Sequence, residues 1–384
     1  MGKFSLYILF IICPLTVLLF SCNMRERESL RHDLDPVPLG YAQGFRIFEG
    51  EGYHLVEVSQ AFQKKHTPFR YLIFDDSPSE KQEGADAIVN SSSERIVLTA
   101  TTHIPHLDLL GKSNCLIGFP NLDLISSDIM RERIDAGKIM DLGKGPQANL
   151  EKIVELQPDW MMVSTMGEDL THFEVLKKAG IPVLINGEYM EQHPLGRAEW
   201  IKFTGLLLGK FAEASAIFDE IEKNYMDAQN LTAKIPSDER PTVLSGTMYK
   251  DIWYAPGNES WGSILLKEAG GKYVFEEEKG TGSVQLSYEH VLSKALDADF
   301  WIGAADYSSL RHMSGTDKRY AAFQAFKNKR VYTYTQKKGA TGGILYFEEG
   351  YVRPDLILLD LVKILHPERV PNHSLYFYTL LNGS

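Results

Sequence analysis

Four stretches of the chain hold side chains suited to meeting a small molecule. Thr99 to His106 sets hydroxyls and two imidazoles, with Thr102 and His103 among them, beside the start of a helix. Hydroxyls at a helix N-terminus can take an anionic group. Thr247 to Tyr254 carries Tyr249, Trp253 and Tyr254 just after an apolar run; such rings offer a large contact area to a flat ligand. Ala305 to His312 adds Tyr307, Arg311 and His312, where a guanidinium would pair with a carboxylate or phosphate. Lys337 to Phe347 is rich in glycine and aromatics and contains Tyr346. A further cluster, Glu188, Glu191 and His193, reads either as a hydrolytic set or as a polar crossover loop. No G-x-x-x-x-G-K-[ST] and no G-x-S-x-G occurs, and there is no His-rich loop. Those absences count against an ATPase, an α/β-hydrolase and a bare-metal binder.

The elements that must hold these stretches are short apolar strands alternating with helix-length segments. From Arg95 the runs Arg95–Leu98, Leu116–Phe119, Trp160–Val163 and Pro182–Ile185 alternate with helix-length segments, which predicts βα units and a mainly parallel sheet. The alternation stops at Arg197–Leu208, one predicted helix, and at a second from Phe211 to about Ala233 without an internal Pro or Gly. It resumes at Thr242–Ser245, Phe300–Ile302 and Val331–Tyr334, and Pro354 opens a last helix. Gly44 to Phe74 reads as a β-hairpin region with a third strand, and Asp75 to Asn90 as a surface loop. Two segments echo each other: Glu151, a short helix, Asp159 and a buried strand; then Glu289, a short helix, Asp299 and a buried strand. Taken alone, both glutamates are solvated first-turn residues favoured by the helix dipole.

With 40 Lys and Arg against 51 Asp and Glu, the 384-residue chain carries a net charge of -11, which excludes a broad nucleic-acid footprint. Three cysteines build no disulfide framework, and Cys115 reads as a small buried hydrophobe. Lys3 followed by an apolar Leu6–Phe20 is too short for a comfortable membrane span and predicts export. Its ending, Leu19-Phe20-Ser21-Cys22, resembles a bacterial lipobox, which implies lipidation of Cys22. An ordinary signal peptide or a short anchor is the other reading of the same segment.

The order of Arg95–Leu98, Asn149–Asp159, Ala179–Val183, Ala255–Ser260, Ile264–Gly271, Tyr288-Glu289 and His366–Glu368 resembles the substrate-binding proteins of ABC importers for iron chelates, haem and cobalamin, the class III periplasmic binding proteins. The resemblance implies two Rossmann-like α/β lobes with mainly parallel sheets joined by one long helix, with the hairpin region as an addition. The expected organisation is a lipoprotein signal peptide at 1–21, a tether at 22–43, an N-terminal lobe at 44–209, a bridging helix at 210–235 and a C-terminal lobe at 236–384. It further implies a periplasmic, membrane-anchored, monomeric lipoprotein that is no enzyme and has no resident metal or cofactor. Its ligand would be a metal chelate (ferric siderophore, haem or cobalamin), and its partner a permease with its ATPase. Glu151 and Glu289 match the glutamates with which this family docks to permease arginines. His103 or His106 could meet the metal of a haem or corrinoid, and the aromatics of Thr247–Tyr254 a macrocycle or catecholate. An exported scavenging lipoprotein without an importer and an exported hydrolase stand as alternatives.

Overall fold

The computed structural model describes residues 34–62, 67–76, 84–144, 148–164 and 170–383. The expected signal peptide and the expected lipidation site Cys22 lie outside the described residues. Among the described residues, eighteen strands, β1 to β18 in chain order, form four sheets.

The N-terminal lobe is built on a parallel sheet of order β10-β9-β6-β7-β8: Val183–Ile185, Trp160–Val163, Ile96–Leu98, Leu116–Phe119 and Met140–Asp141. Its strands β6, β9 and β10 are apolar throughout and wholly buried, as expected when helices cover both faces. The C-terminal lobe repeats the plan with β14-β11-β16-β17-β18: Lys272–Tyr273, Thr242–Ser245, Phe300–Ile302, Val331–Thr333 and an antiparallel edge, Thr379–Leu380. The echo between the halves has a shared physical cause. Asp159 accepts the backbone N–H groups of Glu94 and Arg95, at the start of β6, and Asp299 accepts the N–H and hydroxyl of Thr242, at the start of β11. In each lobe one carboxylate sets where the neighbouring strand begins.

The lobes are joined through the helix Phe211–Asn230, shorter than the sequence suggested and about 30 Å long at 1.5 Å per residue. Its stripe Ala214, Phe218, Ile221, Tyr225 and Ala228 is buried against the helices Ile201–Leu207 and Pro354–Leu365. Gly205 permits the close approach, since a Cβ there would stand 2.5 Å from that of Ala214. The Tyr225 hydroxyl donates to Glu268 of the C-terminal lobe.

The added region is larger than a hairpin. It is a five-stranded sheet, Asp35–Val37, Phe45–Gly50, Tyr53–Val58, Phe69–Phe74 and Ala87–Asn90 in the order β1 to β5, antiparallel except for β4 with β5. Thus β1 lies in the expected tether and β5 in the expected loop; strands of three and four residues are too short to show an alternation. The predicted helix Arg197–Leu208 is two, Pro194–Glu199 and Ile201–Leu207, meeting at Trp200. The aromatic loop after β11 is a hairpin, Thr247–Tyr249 with Ile252–Pro256, extended by β15 at Ser283–Ser287. Lys250 and Asp251 turn it in the left-handed region, at φ of 48° and 63°. Among the described residues no helix is long and apolar enough to cross a membrane.

Candidate functional site

A cavity of about 860 Å³ lies between the lobes. Its C-terminal side is the carboxyl end of the sheet, with Ser245 and Gly246 closing β11 and Ile302 and Gly303 closing β16. Open α/β sheets bind ligands at this end. An aromatic wall surrounds it. Tyr334 and Tyr346 stack with centroids 4.2 Å apart and planes at 17°, and Tyr254, Trp261, Phe347 and Tyr351 extend the wall. Burial pushes the Tyr334 and Tyr346 phenols above their usual range, so they are neutral hydrogen-bonding groups at physiological pH and not phenolates.

Among the described residues that line the cavity, the N-terminal lobe contributes one cation, Arg197. Its guanidinium carbon lies 4.6 Å from the Trp261 ring and 4.5 Å from the Tyr351 ring, both from the other lobe. Nε donates to the Glu191 carbonyl and one terminal nitrogen to the Tyr189 carbonyl, each at 3.0 Å. The other terminal nitrogen, Nη1, is buried without a hydrogen-bond partner. An unpaired buried N–H donor beside a cavity is costly, and an anionic group placed there would satisfy it.

The sequence-derived candidates fall into three groups. Tyr254 and Tyr346 line the cavity. Others belong to the packing beneath it. Trp253 is fully buried, with its indole N–H donating to the Ser245 carbonyl at 3.1 Å, and the Tyr307 hydroxyl meets that of Tyr320 at 3.4 Å. His103 is fully buried with Nε2 3.3 Å from Glu188, whose carboxylate also accepts the Thr102 hydroxyl. Burial alone would raise Glu188. The neighbouring His103 and His106 imidazoles outweigh it and hold the carboxyl at about 2. These two imidazoles therefore face a carboxylate inside the lobe, where a chelated metal cannot approach. A third group is on the outside: Tyr249 at the hairpin tip, 61% exposed, and Arg311 on the helix Leu310–Thr316. Sequence reading missed Arg197, Trp261 and Tyr351. In the sequence Arg197 is the first residue of a predicted helix, and only the juxtaposition of the lobes sets it between two rings.

The acidic cluster is dispersed among structural tasks. Glu191 accepts the N–H groups of Gln43 and Gly44 and the Trp200 indole. His193 caps the helix Pro194–Glu199 by accepting the N–H of Leu195 at Nδ1. Glu188 faces His103. The three share no common site. Among the described residues, no group of three or more His, Cys, Asp or Glu could hold a metal ion.

Glu151 and Glu289 are both exposed in the first turn of a short helix, one per lobe, and the two helices are capped by Asn149 and Ser287. Neither takes part in an ion pair among the described residues.

Two α/β lobes, one helical bridge and a ligand-sized space at the strand ends define a two-lobed binding protein. Residues 96–337 match the sequence family described as periplasmic binding protein, and the chain belongs to that family. An uncharacterised lipoprotein of Methanocaldococcus jannaschii is 28% identical over 305 residues, covering 77% of this chain and 70% of the relative. Among solved structures, the apo periplasmic heme-binding protein RhuT of Roseiflexus sp. RS-1 matches with a TM-score of 0.55 at 17% identity, over 72% of this chain and 99% of that one. The Helicobacter pylori protein CeuE with Ni(II) bound matches at 0.53 and 16% identity, over 74% and 88%. At such identities these likenesses speak for the fold.

Proposed function

We propose that this protein is an extracytoplasmic lipoprotein, anchored through Cys22, that captures a metal chelate between its lobes and delivers it to the permease of an ABC importer driven by its ATPase. The observation that carries the reading is the aromatic-walled cavity of about 860 Å³, within the ~300–1,000 Å³ of small-molecule sites. Its stacked rings suit a flat or aromatic ligand, and Arg197 suits one with an anionic group. The wall supplies neutral phenols and, among the described residues, no cluster of metal ligands, which suits a ligand that arrives with its metal already chelated, as cargo. Ferric siderophores, haem and cobalamin meet that description. The haem named for one structural neighbour and the lipoprotein named for one relative agree with it. Glu151 and Glu289 serve as docking points, since an exposed carboxylate can form a bidentate pair with a permease arginine.

Purified protein is incubated in turn with cobalamin, haemin and ferric siderophores, desalted, and its visible spectrum recorded. One retained chromophore is expected; a colourless protein with every candidate overturns the chelate reading. Docking is tested separately. Glu151→Arg with Glu289→Arg should abolish uptake of the retained chelate in cells and leave its affinity unchanged. Unimpaired uptake would rule out Glu151 and Glu289 as the docking points.

A further inference from the structure

The lobes also meet along a seam between residues 122–127 of the first and 339–348 of the second. The fit is close. A Cβ on Gly339 would stand 2.6 Å from the Ser126 Cα, and one on Gly343 2.2 Å from the Leu124 carbonyl oxygen. The Thr341 hydroxyl donates to the Asp123 carbonyl at 2.8 Å. At the end of the seam the Glu348 carboxylate accepts the backbone N–H of Ser126 at 2.6 Å and of Ser127 at 2.8 Å. Ser127 is the N-cap of the helix Asp128–Asp135, so the carboxylate also sits at the positive end of that helix.

We propose that Glu348 is a positioning residue of the binding site, a latch that holds the lobes closed and thereby sets Tyr346 and Phe347 against the cavity. Glu348 is 4% exposed and forms no ion pair among the described residues. A buried carboxylate without a cation is tolerated only where hydrogen bonds replace its hydration. Both backbone donors that replace it belong to the other lobe, so its burial is favourable only while the lobes are together. Tyr346, Phe347 and Glu348 lie in one four-residue helix, Leu345–Glu348, too short to let its end move without its middle. Any ligand that displaces Tyr346 or Phe347 therefore pulls on the latch, and release of the latch withdraws part of the wall. This inference rests on the proposed function only in taking the inter-lobe cavity as the binding site.

The test needs no ligand. Spin labels are placed through a ketone-bearing amino acid at positions 175 and 296, exposed sites on opposite lobes, and the distance distribution is measured by pulsed electron resonance. Amide exchange at Ser126 and Ser127 is followed in the same proteins. At pH 5, below the range in which the latch is lost, the wild-type protein should show one narrow distance. Glu348→Ala should add a longer one and speed exchange of both amides at least tenfold. Glu348→Gln, which keeps one acceptor oxygen, should fall between. If Glu348→Ala keeps the wild-type distance, the latch is wrong, whether or not the amides exchange faster. Should the alanine variant fail to fold by circular dichroism, Glu348→Gln decides on the same two readouts. Loss of the latch would leave chelate retention standing, and absence of a retained chelate would leave the latch standing.

Discussion

Arg197 makes four contacts and leaves one terminal nitrogen unused, so its partners show both how it is fixed and what it can still bind. The Tyr189 and Glu191 carbonyls orient the guanidinium fork, the Trp261 and Tyr351 rings cover it, and Nη1 is left over. Hydrogen bonds to charged groups contribute ~1.5–3 kcal/mol. Arg197→Gln should therefore weaken binding of the retained chromophore ~10–100-fold with little change in its spectrum, as read by titration. An unchanged affinity would show that the ligand passes Arg197 by.

Glu348 makes a second prediction, and its sign follows from its surroundings. Burial pushes its carboxyl up to about 7, against the pull of the Ser126 and Ser127 donors. Asp108 faces it from the first lobe and raises it further; Glu349 adjoins it, and the Thr101–His103 turn packs against its helix. A carboxyl raised in the closed form binds its proton more tightly there than when hydrated. Its contribution to closure is thus fully present below the ordinary value of 4.5 and is lost as pH rises through about 7. Closure measured between pH 4.5 and 8 should weaken upward in the wild type, whereas Glu348→Gln should show no such slope.

Among the elements, the added five-stranded sheet is fastened to the N-terminal lobe by carboxylates that accept backbone donors. Glu199 is fully buried and accepts the N–H groups of Gly40, Tyr41 and Ala42, each at 2.8 Å, with Lys202 at 2.9 Å beside it. Glu191 does the same for Gln43 and Gly44. Aromatic packing completes the joint: Phe45 lies 4.5 Å from Trp200, and the buried Tyr71 hydroxyl accepts the N–H of Ile185 from β10. Removing one partner of such a network strands several buried groups at once, so Glu199→Ala should destabilise the protein by ~3–5 kcal/mol in a denaturant titration. A loss under ~1 kcal/mol would mean that water replaces the carboxylate without cost. These fastenings were not legible in the sequence. Glu191 and Glu199 look like ordinary polar residues of a loop and a helix, and their partners lie about 150 residues earlier along the chain. The parallel sheets were legible, because a strand covered on both faces must be apolar from end to end and the chain shows that directly.

For the whole molecule, the bridge decides how far the lobes can move. A helix of 20 residues, buried along one stripe against both lobes, bends less readily than an extended linker. Free and ligand-bound forms should therefore differ by a small inter-lobe rotation in crystals or in solution scattering; a closure of tens of degrees would contradict the bridge as a limiting strut. A nearly constant spacing between the lobes also suits a partner that reads one carboxylate on each, as Glu151 and Glu289 are proposed to be read. The sequence by itself determined the alternation of strand and helix, the interruption by one uninterrupted helical stripe and the matched Asp159 and Asp299, because each depends on periodicity or on residues close in the chain. Of the pocket, it placed Tyr254 and Tyr346 near strand ends but could not tell them from Trp253 and Tyr307, since whether a ring faces a cavity or the core depends on what packs behind it. Only the tertiary structure decided that Arg197 lies between Trp261 and Tyr351, and that Glu348 meets Ser126 and Ser127. Each of those contacts joins segments more than 60 residues apart, and its energy exists only when the two lobes face one another.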